Sequence, residues 1–284
     1  MKNLLFGARK DSLPPKIGHS ELQNVSIVGR LFGSRKERVP FVHKRRAFTL
    51  IELLVVIAIM VLLLAILMPS LQRARKQAKA TICLHNLSQW GAIWLMYTDD
   101  WNGYFHPGWG GNDPGLPNLT GHWPTAIRPY YTDPKIQLCP EAPGPGKGAW
   151  GPSAFGEYVS YGLNGWVCNP MPDVKSIFGP TRWNWRTPHV KGANRAPLFL
   201  DAKFKHNWPD HREEPPEYEG VWAGHMGNFC INRHNGAING VFLDFTVRKI
   251  GLKELWKLKW HREFDTNAGP TEGEWPDWMK NSKE

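Results

Sequence analysis

From Leu53 to Met68 the chain reads LLVVIAIMVLLLAILM, sixteen apolar residues without a break. A helix that is apolar all round needs an apolar surrounding on every side. Extended back to Phe48 the segment is 21 residues long, with only Thr49 and Glu52 interrupting it. At about 1.5 Å per residue it reaches roughly 31 Å, the thickness of a bilayer core. A core helix of a soluble domain is the alternative, and so long an unbroken run disfavours it. The sequence therefore predicts a membrane-spanning helix over 48–70.

The net charge of +10 would suggest a nucleic-acid partner if it were spread over the body of the protein. Instead, residues 1–47 hold eleven Lys and Arg against three acidic residues, a net +8, and end in His43-Lys44-Arg45-Arg46. A basic flank of this kind holds its end of a span in the cytoplasm. The remainder carries only +2, so no nucleic-acid partner is expected. A cleaved secretory signal would place a small-x-small site after the apolar run. Here Pro69-Ser70 and the basic QRARKQAK follow, so the helix is expected to be retained and residues 71–284 exported.

Glu52 is out of place in such a span. A carboxylate costs about 2.5–3.5 kcal/mol at the centre of a membrane helix, less near its ends, and marks a function or a partner. No basic residue lies three or four positions away. The stretch Lys44-Arg45-Arg46-Ala47-Phe48-Thr49-Leu50-Ile51-Glu52-Leu53 resembles the prepilin processing motif of type IV pilins and type II secretion pseudopilins. The resemblance implies cleavage between Ala47 and Phe48 by prepilin peptidase and N-methylation of Phe48. It also implies that Glu52 neutralises the Phe48 α-amine of a neighbouring subunit, so that two costly charges offset each other only in the correct register. Ala47 stands where the family usually has Gly, and the 47-residue leader is long for it.

Beyond Pro69, which is expected to kink or interrupt the helix, apolar or small residues recur at Leu71, Ala74, Ala78, Ile82, Leu87, Trp90, Trp94 and Tyr97. These steps of three and four predict one amphipathic face packed on a head domain. Asp99-Asp100-Trp101-Asn102-Gly103 reads as the cap and turn that end it. Residues 101–190 are rich in Gly, Pro and Trp, notably over 106–121 and 139–153, and predict a loop-rich insertion with a short helix at Trp123–Tyr131. All fifteen Trp lie beyond residue 89. They are expected to fill a core between loops; an aromatic surface for glycans is the alternative.

Two later segments, Ala196–Phe204 and Gly240–Ile250, alternate as strands do and share Phe-Leu-Asp. Leu198, Leu200, Ala202 and Phe204 would line one face, as would Val241, Leu243, Phe245 and Val247, with Asp201 and Asp244 opposite. Asn228–Arg233 is a further candidate strand, turned at Asn235-Gly236. The spacing from His234 to Asp244 resembles the H-x9-D-G motif of pilin-like type II secretion proteins, with Phe245 in place of the final Gly. Cys83-Leu-His-Asn-Leu, Tyr97-Thr-Asp-Asp, Leu138-Cys139-Pro140 and Ser160-Tyr161-Gly162-Leu-Asn164 resemble recurring segments of the same group.

Two aspartates on one face repel unless a cation or His234 intervenes. Asp201, His234 and Asp244 are therefore a candidate structural site for a divalent metal ion, Zn²⁺ or Mn²⁺ rather than Ca²⁺; a His–Asp hydrogen bond is the alternative. The four cysteines, Cys83, Cys139, Cys168 and Cys230, show no C-x-x-C spacing, and an even number in an exported domain suggests one or two disulfides, with three full pairings open. Leu252–Phe264 reads as a short basic amphipathic helix covering the sheet edge.

The expected fold is α+β and pilin-like, a long N-terminal helix on a small antiparallel sheet with a loop-rich insertion. The expected organisation is a leader (1–47), a transmembrane helix (48–70), an exported half-helix (71–100) and a head (101–284). The resemblance implies a structural subunit of a type II secretion pseudopilus or type IV pilus-like filament. Its partners would be prepilin peptidase, like subunits, the assembly platform and inner-membrane lipid, with the leader cytoplasmic and the head periplasmic or extracellular. No enzyme signature is present, with neither a nucleophile elbow nor HExxH. An exported glycan- or polymer-binding protein on a pilin anchor is the alternative.

Overall fold

The computed structural model describes residues 48–108, 123–142, 158–171, 176, 178–280 and 282. The leader with Ala47, and most of the two Gly- and Pro-rich stretches of the insertion, lie outside the described residues.

Helix α1 runs from Leu50 to Asp100 as one element of 51 residues. Of the kink or interruption expected at Pro69, the interruption does not occur. Proline removes a single helix hydrogen bond, and next to it the Ser70 hydroxyl donates to the Leu67 carbonyl at 2.7 Å. Every side chain from Phe48 to Lys79 is exposed. The apolar part of α1 is the one described helix long and apolar enough to cross a membrane, and none of that window is buried.

Docking starts later than the stripe from Leu71 suggests. Leu71 and Ile82 remain exposed, and burial begins at Cys83 and continues through Asn86, Leu87, Trp90, Gly91, Ile93, Trp94, Tyr97 and Thr98. Arg73, Arg75, Lys76 and Lys79 crowd the intervening turns and are exposed, with Lys79 Nζ 3.6 Å from Glu141 Oε1.

Among the described residues the sheet has five strands in the order β3-β1-β2-β4-β5. They are β1 (Tyr161–Asn164), β2 (Pro197–Asp201), β3 (His206–Asn207), β4 (Ala237–Phe242) and β5 (Val247–Gly251). Pairings β1/β2, β2/β4 and β4/β5 are antiparallel, but β1/β3 is parallel, so the sheet is mixed rather than purely antiparallel. The predicted strand 240–250 is in fact a hairpin. Its turn places Phe245 at φ +62°, in the left-handed region where glycine is usual. Asn228–Arg233 is not a strand; a 3-10 turn over Met226–Asn228 leads into it.

Strands β1, β2 and β4 are buried along their whole lengths, because both faces are covered. On one face Trp90 of α1 meets Phe199 with ring centroids 5.2 Å apart, and Trp123 of the short helix α2 (Trp123–Ile127) meets it at 4.7 Å. The segment after β5, where Leu252, Leu255, Trp256, Leu258, Trp260 and Phe264 are buried, joins the sheet at β1, where Asn164 Nδ2 donates to the Trp260 carbonyl at 2.8 Å. That segment is a 3-10 turn at Lys253–Lys257 followed by irregular chain, not a surface amphipathic helix. Trp90, Trp94, Trp123, Trp166, Trp256 and Trp260 are fully buried. The described tryptophans thus serve chiefly as core, as expected, while Trp222 is exposed.

Gly240 in β4 is fixed by close approach. A Cβ there would lie 2.8 Å from Ile250 Cδ1 and 2.9 Å from Leu200 Cγ. Gly240→Ala is expected to destabilise the fold by about 1–3 kcal/mol through overpacking, measurable by urea denaturation of the detergent-solubilised chain.

His261 supplies a pH dependence. Its ring stacks on Trp183 at 4.3 Å. Burial, only partly opposed by Asp210 and Glu263 and reinforced by His211 and Lys259, pulls its imidazole down from 6.5 to about 4. Between those values the unfolded chain binds the proton more readily, so stability falls as pH drops through that window. His261→Phe is expected to flatten the slope of melting temperature against pH over the same range.

Candidate functional site

Two places concentrate chemistry, the start of α1 and a polar cluster within the head.

At the start of α1, Phe48 is exposed and Thr49 precedes the first helical residue. The Thr49 backbone amide and hydroxyl both donate to Glu52 Oε2, at 2.9 and 2.8 Å, and the Glu52 amide donates back to Thr49 Oγ1 at 3.3 Å. Thr49-Leu-Ile-Glu52 is thus a capping box that satisfies the helix's first free amides. Sequence reading missed this local role, although the T-x-x-E spacing signals it. Glu52 therefore has a partner within its own chain.

In the head, four elements bring Cys83, Cys139, Asp201 and His234 together. Their ligand-type atoms all lie within 4.8 Å of one another. Cys83 comes from α1, where its docked face begins. Cys139 follows a 3-10 turn at Pro134–Gln137, and its amide donates to Ser160 Oγ at 2.6 Å. Asp201 ends β2, and His234 precedes β4 beside the left-handed turn at Asn235-Gly236.

His234 Nε2 lies 3.0 Å from Asp201 Oδ2 and 3.4 Å from Cys139 Sγ. Cys83 Sγ is 3.5 Å from each Asp201 oxygen and accepts from the Tyr161 hydroxyl at 3.4 Å. Arg233 Nη1 pairs with Asp201 Oδ1 at 3.0 Å and also donates to the Ser160 carbonyl at 2.6 Å. The Asn239 amide donates to Asp201 Oδ2 at 2.9 Å.

Asp201 is completely buried, which alone would raise its pKa; the Arg233 charge, His234 and the Asn239 amide outweigh burial and hold it below the usual carboxylate value. Hydrogen bonding from Cys83, opposed by burial and aided by His234, brings the Cys139 thiol down to about 7. Burial and the neighbouring Cys139 and Asp201 push the Cys83 thiol up. Burial disfavours charge on His234, but Asp201 and Cys139 raise it to about 9.

Of the three residues singled out as a metal set, Asp201 and His234 meet and Asp244 does not join them. Asp244 sits in the β4–β5 turn, where its Oδ1 accepts from the Thr246 amide at 3.1 Å and the Thr246 hydroxyl at 2.7 Å. The neighbouring Leu243 amide bonds the Ala196 carbonyl, at the end of β2 opposite Asp201. The antiparallel register, with Leu200 opposite Gly240 and Pro197 opposite Phe242, thus carries Asp244 past the end of β2 that lies away from Asp201.

The four cysteines are buried and free. Cys168 accepts from Asn184 Nδ2 at 3.0 Å, and Cys230 lies 3.6 Å from Met279 Sδ, so these two occupy different surroundings. Cys83 and Cys139 alone share a site.

Comparison with known proteins bears on the N-terminal region. Residues 42–68 match the family described as prokaryotic N-terminal methylation motif. The N-terminal region is also similar to the type IV wide pilus major component PilA4 of Thermus thermophilus, with 46% identity over 59 residues. That match covers 21% of this chain and 45% of the relative, so the chain spans less than half the relative's length. No solved structure matches the chain.

Proposed function

We propose that the chain is a prepilin-like structural subunit of a type II secretion pseudopilus or type IV pilus-like filament. Residues 42–68 carry this reading, since the methylation motif leads straight into an apolar helix whose side chains are all exposed. Such a helix needs lipid before assembly and like helices afterwards. Prepilin peptidase cuts between Ala47 and Phe48 on the cytoplasmic side and methylates the Phe48 amine. The leader is cytoplasmic, the helix crosses the inner membrane once, and the head is periplasmic or extracellular. The fully buried tryptophans give no support to a glycan-binding surface.

Mass spectrometry of the chain isolated from peptidase-positive and peptidase-null cells tests this directly. The mature chain is expected to begin at N-methyl-Phe48 only when the peptidase is present, and to appear in the sheared filament fraction. An intact leader and confinement to the membrane fraction in peptidase-positive cells would count against the proposal.

A further inference from the structure

We infer that Cys83, Cys139, Asp201 and His234 form a closed structural site for a thiophilic divalent cation, zinc foremost, fastening α1 to the sheet. The inference concerns the docked part of α1 and the head, and does not depend on filament assembly.

Geometry is the first support. A tetrahedral zinc ion with bonds of about 2.0–2.3 Å requires ligand-to-ligand edges of roughly 3.3–3.8 Å. The imidazole-to-thiol edge is 3.4 Å, the thiol-to-carboxylate edge 3.5 Å and the imidazole-to-carboxylate edge 3.0 Å. Small shifts would complete the tetrahedron.

The donor set is the second. Two sulfurs, one imidazole and one carboxylate suit zinc, whereas calcium and magnesium take oxygen ligands. All four residues are buried, and four protein ligands leave no open position, which is the arrangement of a structural site rather than a catalytic one.

Charge balance is the third. Two thiolates and a carboxylate contribute three negative charges, and a dication together with Arg233 cancels them. Arg233 and the Asn239 amide also hold the carboxylate from behind, the outer support that metal ligands require.

Two simpler readings explain less. Arg233 and the Asn239 amide already satisfy Asp201, so a hydrogen-bond network has no need of two thiols. A Cys83–Cys139 disulfide would use the sulfurs but leaves the convergence of the carboxylate and imidazole without purpose. His234 and Arg233 also line a cleft of about 950 Å³ bordered by Arg73, Lys76 and Glu141.

The test uses the full chain, purified in detergent under mild reduction without chelator. Elemental analysis is expected to find about one zinc per chain. The double variant Cys83→Ser/Cys139→Ser is expected to lose it while keeping its far-ultraviolet circular dichroism. Should that variant fail to fold, Co²⁺ exchange into the unmodified chain reads the ligands directly. Tetrahedral d–d bands with thiolate-to-cobalt charge transfer are expected. Three results would overturn the inference: no bound metal and no such cobalt spectrum in the folded reduced chain, metal retained in the folded double variant, or a Cys83–Cys139 disulfide in protein isolated with thiols alkylated.

Discussion

Glu52→Gln is expected to lose co-assembly with like subunits while keeping the start of α1, and Glu52→Ala to lose both. Glutamine still completes a capping box with Thr49, so the 2.9 and 2.8 Å contacts have a neutral replacement. What glutamine lacks is the charge that would offset a neighbour's N-terminal amine in an apolar filament core. Losing the cap costs about 0.5–2 kcal/mol, too little to dismantle a 51-residue helix. Breaking a buried ion pair costs about 3–5 kcal/mol, enough to remove a subunit from a filament. Recovery of each variant in sheared filaments, beside its level in the membrane, separates the two roles. Wild-type incorporation of Glu52→Gln would confine Glu52 to capping.

Trp90→Ala is expected to destabilise the head by about 3–5 kcal/mol, a large share of the roughly 5–15 kcal/mol that holds a typical domain. Trp90 is fully buried, packs edge-on to Trp123 and Tyr131, and lies against Phe199. Its indole nitrogen donates to the Ile136 carbonyl at 2.9 Å. Truncation therefore opens a cavity between helix and sheet and also removes that carbonyl's partner. The exposed Trp222 is the control, where Trp222→Ala should stay within about 0.5 kcal/mol of the parent. Urea denaturation followed by the remaining tryptophan fluorescence measures both.

The membrane helix was legible because its signals are local: an unbroken apolar run and a basic flank lie within some 25 residues, beside a T-x-x-E cap that was present but not read. Asp201 and His234 were legible from strand alternation and from one motif. Cys83 and Cys139 were not. They enter the cluster from a helix and a loop, 118 and 62 positions before Asp201, and no spacing rule links such residues. Asp244 was misplaced because alternation, which continues straight through the hairpin, gives the face but not the register, and the antiparallel pairing sets Phe242 opposite Pro197 rather than Asp244 beside Asp201. Only the left-handed backbone at Phe245 breaks the strand, and a phenylalanine gives no warning of it. The stripe from Leu71 to Ile82 misled for another reason. Helical periodicity says which side chains share a face, but not whether anything covers that face.

The position of Cys83 has a mechanical consequence. It is the first fully buried residue of α1, and every side chain from Phe48 to Lys79 is exposed. A pull applied through the apolar segment passes the Lys79–Glu141 pair and the Asn239–Ala80 hydrogen bond and meets its first buried side chain at Cys83. The seam from Cys83 to Thr98 would then peel from that end, one turn at a time. A tie between Cys83, Cys139, Asp201 and His234 sits at the opening tooth of this zipper, where a single strong link protects every contact behind it.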